Sequence, residues 1–288
     1  MHQIVKVLKI RNFFIFVLSQ TVSQFGDKLD YIALIGLIGT FAPKQEPILL
    51  SQLAICFSLP VLLFGPVSGV LVDRWNRKRV MVICDLLRGI LVALIPPIFL
   101  LSQSIYPVFL IVFFVFLFTL FFNTARLSII PDLVRKENVL YANSVATFVG
   151  RFATLLGMVA GGFIIDWGFW STQVGMKGWQ AGFLLDSATF FFSAAFLATI
   201  TVHLTSHERN SLDQRSVLAD LKEAWRLVWR VPTVTYVFTS ILILVFAASA
   251  VYVFVIPLVQ HGMKWGTKGA VSYTHLRAHE TRHDLVCR

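Results

Sequence analysis

Three ionisable residues, Asp27, Arg151 and Asp186, lie deep inside long apolar stretches of the sequence. A charged side chain in hydrocarbon is costly, so such residues commonly mark a path for protons, ions or substrates. At ~1.5 Å per helical residue, the three lie ~16–21 Å from the same face of a ~30 Å hydrocarbon core. An arginine between two carboxylates would offset part of this cost and leave a proton-responsive site. We expect a proton or substrate pathway here, with a structural salt bridge that never titrates as the alternative.

Polar residues in the first apolar stretch recur at spacings of three and four, which places them on one face of a helix. They are Gln20, Ser23, Gln24, Asp27 and Tyr31. A polar stripe on a membrane helix usually lines a water-filled path. Asp30 falls on the same face, whereas Lys28 does not and has no assigned role. The sequence therefore predicts that this face borders the pathway.

Asp85 and Arg88 form a second pair of charges inside an apolar stretch. They are three residues apart, so they can pair on one face of a helix. Both lie near the end of the stretch that adjoins a highly charged connection. We expect them to support a structural or gating network with Asp73, and a direct part in transport is the alternative.

The elements that carry these residues must cross a membrane. Of 288 residues, 57% are hydrophobic and only 14% are charged, which is too few charges to cover a soluble protein. Seven segments are each long enough to span as a helix, and the ten-residue alternation of a membrane barrel is missing from the sequence. The predicted spans are 13–40, 49–72, 80–101, 105–125, 140–165, 179–202 and 234–258.

Basic residues alternate between the connections. Lys and Arg number three before the first span, four in 73–79, three in 126–137 and five in 203–230, but none or one in the intervening connections. By the positive-inside rule, the N-terminus and these basic segments are cytoplasmic. The net charge of +10 is thereby explained without a nucleic-acid partner.

The sequence GVLVDRWNRKR, residues 69–79, gathers charge into one short connection. A glycine there permits close approach of two helix ends, and an aspartate can accept hydrogen bonds from a neighbouring helix N-terminus. The basic residues hold the turn at the anionic inner surface, and plain membrane topology is the alternative explanation for them. The predicted gating residues are Gly69, Asp73, Arg74, Arg77 and Lys78.

This loop, the six spans, the long polar linker and the seventh span together resemble the major facilitator superfamily, over residues 1–270. The stretches SQFGDKLDYIAL, LLFGPVSGVLVDR, ICDLLRG and IPDLVRKENVLYANS resemble its bacterial branch that exports drugs, macrolides and siderophores. The resemblance implies an all-α polytopic protein of the bacterial cytoplasmic (inner) membrane, built as a six-helix half plus helix seven. It also implies that the loop latches two halves of the transporter together in one state.

A glycine motif in the fifth span resembles the Gly-Pro-x-x-Gly-Gly motif of exporters in this superfamily. Its glycines are Gly157, Gly161 and Gly162, and Met158 replaces the proline. This departure weakens any inference about the direction of transport. Ordinary packing of small residues between helices is the alternative reading.

The predicted domains are 1–202, the six-helix half; 203–233, a cytoplasmic linker with an amphipathic helix; 234–270, helix seven and the start of a second half; and 271–288, a tail. The tail contains HETRH, which matches the zinc-protease pattern H-E-x-x-H. The tail is wholly polar and resembles a translated sequencing adapter, so we expect no metal site there. We expect the second half of the transporter to be missing from this chain.

The resemblance implies a secondary active transporter that exports drug-like or siderophore-like molecules by proton antiport. The chain has no GxxxxGK[ST] motif for nucleotides, and no enzyme activity or cofactor is expected beyond the proton gradient. The expected partners are the small-molecule substrate, the lipid bilayer and the missing C-terminal half. An uptake symporter of the same fold is the alternative, and a non-transporting receptor or membrane enzyme is a more distant one.

Overall fold

The computed structural model of the chain describes residues 2–201 and, within 222–244, positions 222, 223, 225, 226, 229–237, 239, 240, 243 and 244. The predicted linker at 203–233 and the predicted helix-seven segment at 234–270 lie largely outside these residues. The tail at 271–288, with its HETRH sequence, lies wholly outside them. The predictions for these three segments therefore remain predictions.

Residues 2–201 form seven α-helices with short connections. They are α1 His2–Leu8, α2 Arg11–Phe41, α3 Glu46–Arg74, α4 Arg77–Ser102, α5 Tyr106–Leu133, α6 Val139–Asp166 and α7 Gly178–Ala198. A 3-10 turn at Lys136–Asn138 precedes α6, and one π-helical turn at Trp170–Val174 lies between α6 and α7. Helices α2 to α7 correspond to the six predicted spans, and α5 continues eight residues beyond its predicted end at residue 125.

Five helices in the described part of the chain, α3 to α7, are long and apolar enough to cross a membrane. This confirms the predicted class of an all-α polytopic membrane protein. Helix α2 is not one of the five, although its 31 residues reach ~46 Å. Its central part is too polar, and this is the stretch that the sequence singled out as a pathway.

Helix ends follow local chemistry. The first turns of α3 and α5 contain Pro47 and Pro107. Proline is tolerated there because a backbone N–H in the first turn has no partner within the helix. At the start of α4, the Asn76 side chain accepts a hydrogen bond from the backbone N–H of Arg79 at 3.1 Å. Asn76 therefore sets the point at which the charged connection turns into a membrane helix.

The helices pack in two connected groups. Helix α2 packs along α6 and α7, while α4 packs along α5 and α7, and α3 packs on α5. Helix α7 thus contacts both α2 and α4. The pathway stretch of α2 consequently packs against α6 on one side and α7 on another.

Two apolar clusters fill the interior and are separated by a layer of buried polar residues. The first cluster includes Phe13, Phe16, Met81, Phe122 and Leu197. The second includes Leu37, Leu53, Ile95, Val112 and Phe183. The buried side chains between them, called the polar layer below, are Ser19, Gln20, Ser23, Asp30, Asp85, Arg88, Asp186, Ser187 and Ser193.

Candidate transport pathway

Arg88 lies at the centre of the polar layer and is fully buried. Its Nη2 forms an ion pair with Asp85 one turn earlier on α4, and its Nη1 lies 3.4 Å from Oδ1 of Asp27 on α2. The guanidinium also donates to the hydroxyls of Ser23 and Thr119, each at 3.3 Å. A buried cation is tolerable only with such partners, because its desolvation must be offset by paired charge and hydrogen bonds.

Two aromatic rings enclose the Arg88 guanidinium. Its central carbon lies 4.4 Å from the ring centroid of Phe122 and 4.3 Å from that of Phe190. These distances allow cation–π attraction on both faces of the planar group. The rings belong to α5 and α7, so Arg88 is held by residues from four helices.

A chain of hydrogen bonds continues from Arg88 to α7 and back to α2. The second carboxylate oxygen of Asp85 accepts a hydrogen bond from the Ser193 hydroxyl. The hydroxyls of Ser193 and Ser19 lie 2.8 Å apart. A change at Asp27 can therefore reach three helices through polar contacts alone.

These contacts correct two sequence predictions. Arg151 was expected between Asp27 and Asp186, but the arginine beside Asp27 is Arg88. Asp85 and Arg88 were expected to join Asp73 near the cytoplasmic surface, yet Arg88 lies eleven residues into α4, about 16 Å from its start. Counting residues along one segment could not give the rotation of each helix about its axis, which decides the arginine that meets Asp27.

A polar cavity of about 340 Å³ opens beside this network. Eight polar residues from α2, α5 and α6 line it: Gln24, Asp27, Lys28, Asn123, Arg126, Thr147, Arg151 and Thr154. The Asp27 side chain is 30% exposed, so it is reachable while it contacts buried Arg88. Water or a small polar solute can therefore approach the ion-pair network from this cavity.

Two glutamines of α2 form hydrogen bonds with the neighbouring helices beside the cavity. With its amide oriented to satisfy both neighbours, Gln24 donates to the backbone oxygen of Gly150 at 3.0 Å and accepts from Arg126 Nη1 at 2.8 Å. One turn earlier, Gln20 donates to the backbone oxygen of Ala146 at 3.0 Å. Gln20 and Gln24 thus join α2 to α6, and Gln24 also positions Arg126.

Several cavity residues were missed or misplaced by the sequence reasoning. Arg126 was counted as a loop cation, but the longer α5 carries it into the cavity. Lys28 was set aside because it leaves the polar stripe, yet it lines the same cavity. The spacing of Asn123 and Arg126, one turn apart at the end of an apolar run, was a signal that could have placed them on a common face.

At the contact between α2 and α7, Asp30 of α2 faces α7 and Asp186 of α7 faces α2. Gly26 allows the approach: a Cβ there would lie 1.9 Å from the Thr189 hydroxyl oxygen and 2.2 Å from the Asp186 carboxylate. Both aspartates are buried, and each has one carboxyl oxygen without a hydrogen-bond partner in the described part of the chain. Tyr31, by contrast, lies on the exposed side of α2.

The charged connection between α3 and α4 makes specific contacts at the ends of other helices. Arg77 Nη1 pairs with Asp132 of α5 at 2.8 Å, and Lys78 Nζ donates to the backbone oxygen of Ala198 in α7 at 2.7 Å. Asp73 is exposed and, among the described residues, does not cap a neighbouring helix. The cap at this turn is Asn76.

The glycines of the two motifs behave differently. A Cβ on Gly157 would lie 2.6 Å from the backbone oxygen of Phe25, and one on Gly161 would lie 2.7 Å from Ile32 Cδ1. Both glycines therefore permit close packing of α6 on α2. Gly162 and Gly69 have nothing within 4 Å of such a Cβ, so the close approach expected at Gly69 is not made among the described residues.

Comparison with known proteins agrees with this architecture. The family described as Major Facilitator Superfamily matches residues 11–276. The match covers most of the chain, and the chain therefore belongs to this superfamily. No solved structure matches the chain.

The curated relatives include three proteins of Bacillus subtilis strain 168. The uncharacterized MFS-type transporter YfiS is 25% identical over 74% of this chain and 48% of its own length. The uncharacterized MFS-type transporter YkuC is 25% identical over 71% and 45%, respectively. BacE, a proposed bacilysin exporter, is 26% identical over 67% and 46%. The chain spans about half the length of the curated relatives it matches.

Proposed function

As a member of the Major Facilitator Superfamily the chain is part of a membrane transporter, and we propose that the whole protein exports small molecules by proton antiport. Transport proceeds by alternating access between this half and a second half that also lines the cavity. The proton gradient of the bacterial cytoplasmic membrane drives it, and no cofactor takes part. The relation to BacE supports the outward direction.

One observation carries this proposal: the polar cavity lies inside a bundle of apolar helices and reaches a buried ion-pair network. Polar residues in a membrane interior are costly unless they line a water-filled path or a site. The cavity supplies a place for a solute, and Asp27 supplies a carboxylate that faces both the cavity and Arg88. Substrate and proton can therefore act on the same group of contacts.

Asp27 couples proton binding to helix position in this proposal. The ionised carboxylate attracts Arg88 across the α2–α4 contact at 3.4 Å. When the carboxyl takes a proton, this attraction is lost, and Arg88 remains held by Asp85 on its own helix. The link between α2 and α4 is then weaker, which favours a different arrangement of the two helices.

Asp186 provides a second proton site. Its side chain is fully buried, and its carboxylate makes no ion pair with any described residue. Its Oδ1 accepts one hydrogen bond, from the Thr189 hydroxyl at 3.1 Å. A buried carboxylate without an ion pair is costly, and taking up a proton removes that cost. Asp30, also buried and facing α7, shares the same environment, so two further carboxyl groups able to hold or release a proton lie in the same helix pair as Asp27.

The connection at 73–79 acts as the gate. Arg77 and Lys78 join this turn to the ends of α5 and α7. Asp73 and Arg74 complete the loop that engages the second half of the transporter. Opening towards the cytoplasm breaks these contacts, and closing restores them.

Proton release from everted membrane vesicles tests the function. Vesicles containing the full-length protein are acidified inside by respiration, and acridine orange reports the gradient. Addition of an exported compound should dequench the dye, because each molecule that enters the vesicle releases protons from it. The probes are an organic acid, a basic macrolide and a lipophilic cation: N-acetyl-L-phenylalanine, erythromycin and ethidium.

Asp27→Asn should abolish the response, and Asp166→Asn should retain it, because Asp166 is an exposed residue at the end of α6. A symporter would give no dequenching on external addition, but would accumulate the probe in right-side-out vesicles under an inward proton gradient. That result would replace export by uptake. A full response in Asp27→Asn would show that the proton path lies elsewhere.

A further inference from the structure

The polar cavity carries an excess of positive charge. Three of its lining side chains are cations, Lys28, Arg126 and Arg151, and one is an acid, Asp27. Asp27 is already directed towards Arg88 at 3.4 Å. The cavity therefore has more cationic than anionic groups even when its own carboxylate is ionised.

None of these three cations forms an ion pair within 4 Å with an acidic side chain among the described residues. The ion pairs formed there by membrane-helix residues are Arg88 with Asp27, Arg88 with Asp85, and Arg77 with Asp132. Arg126 is directed instead at neutral amides, with Nη1 2.8 Å from the Gln24 oxygen and 3.5 Å from the Gln20 oxygen. Its Nε is buried without a hydrogen-bond partner in the described part of the chain.

Like charges collected in one cavity repel one another, and an anion bound among them relieves this repulsion. The cavity also holds neutral hydrogen-bonding groups for the rest of a polar ligand: Asn123, Thr147 and Thr154. Its volume of about 340 Å³ is at the lower end of the range for small-molecule sites. Arginine side chains present paired N–H groups that match the oxygens of a carboxylate or a phosphate.

We propose that Lys28, Arg126 and Arg151 bind the anionic group of the transported molecule, and that the substrate is a small organic acid carrying a carboxylate. This inference rests on the proposed function and assigns a substrate class to the same cavity. Gln20 and Gln24 fix Arg126 against α2, so the cationic wall is held in place before a ligand enters. A lipophilic cation would meet like charge on three sides and is disfavoured.

Binding to the purified full-length protein tests the proposal without requiring transport. N-acetyl-L-phenylalanine is compared with its carboxamide, in which a neutral NH2 group replaces the charged carboxylate oxygen. Phenyl phosphate distinguishes a phosphate-selective site, and benzyltrimethylammonium provides the cation. Isothermal titration at constant ionic strength should give an affinity for the carboxylate at least tenfold above that for the amide, with no measurable binding of the ammonium compound.

Variants assign the effect to the cavity. Arg126→Gln and Arg151→Gln should each weaken carboxylate binding about tenfold or more, because a charged hydrogen bond is replaced by a neutral one. Lys44→Gln removes an exposed cation in the connection between α2 and α3 and should leave binding unchanged. Lys28→Arg keeps the charge and should retain binding. Circular dichroism establishes that each variant is folded.

The possible outcomes separate the two proposals. Preference for phenyl phosphate over the carboxylate, preference for the amide or the ammonium compound, or no binding of either acid would overturn the assignment of a carboxylate substrate. Carboxylate binding by Arg126→Gln and Arg151→Gln as tight as that of the unmodified protein would also overturn it. Dequenching by erythromycin or ethidium alone would uphold proton antiport and reject the acid. Acid binding without any proton movement would uphold the site and reject antiport.

Discussion

Gly157 and Gly162 provide a matched pair of positions for testing the packing of α6. A Cβ at Gly157 would lie 2.6 Å from the backbone oxygen of Phe25 and 3.0 Å from Lys28 Cβ, while one at Gly162 meets nothing within 4 Å. Both glycines lie inside the same helix, five residues apart. Alanine at either position therefore brings the same gain in helix propensity, about 1 kcal/mol.

The steric term separates the two variants. At Gly157 the obstructing atom is backbone, so α2 and α6 must move apart, and overpacking of this kind costs about 1–3 kcal/mol. Gly162→Ala should thus be neutral or stabilising by up to about 1 kcal/mol. Gly157→Ala should be less stable than Gly162→Ala by about 1–3 kcal/mol.

Thermal unfolding of the full-length protein in detergent measures this difference, with both variants purified in the same way. The midpoint of Gly157→Ala should fall below that of Gly162→Ala. Separation of α2 from α6 should also disturb the cavity, because Gln24 and Arg151 line it from these two helices. A Gly157→Ala protein as stable as Gly162→Ala would refute the close α2–α6 contact.

Two further predictions concern the polar layer and a helix end. Arg88→Met should lower the free energy of unfolding by about 3–5 kcal/mol, because Asp85 is left buried without its cation. Arg88→Met with Asp85→Leu should recover much of this loss in the same unfolding assay, and an equal loss in both proteins would contradict the argument. Asn76→Ala should cost about 1 kcal/mol by removing the cap on the Arg79 N–H, whereas Asn76→Asp should retain stability. An unchanged midpoint for Asn76→Ala would show that the cap is dispensable.

The sequence predicted the helices well because hydrophobic length is a strong signal in a membrane protein. All six helices α2 to α7 begin within three residues of their predicted starts. Helix α5 is the exception at its other end, because Arg126 was read as the start of a loop. The helix instead continues to Leu133 and includes Pro131. A charge at the border of an apolar run does not distinguish a helix that enters a polar cavity from one that ends.

The arrangement within the candidate site was predictable only in part. The polar stripe on α2 and the adjacency of Asp85 and Arg88 follow from helical periodicity within one helix. Which arginine meets Asp27 depends on the rotation of α4 and α6 about their axes, and a single sequence holds no information on that. Gly157 and Gly69 show the same limit, because only the neighbouring helix decides whether a glycine is needed.

The central claim is that the polar cavity is a solvent-accessible pathway whose exposure alternates with the proton gradient. Thr154→Cys places a thiol in its wall, in a full-length protein whose native cysteines are replaced by serine or alanine. A membrane-impermeant maleimide should label this thiol in everted vesicles, and imposing a proton gradient should change the labelling rate several-fold. A thiol that never reacts, or one that reacts at the same rate with and without the gradient, would contradict the account.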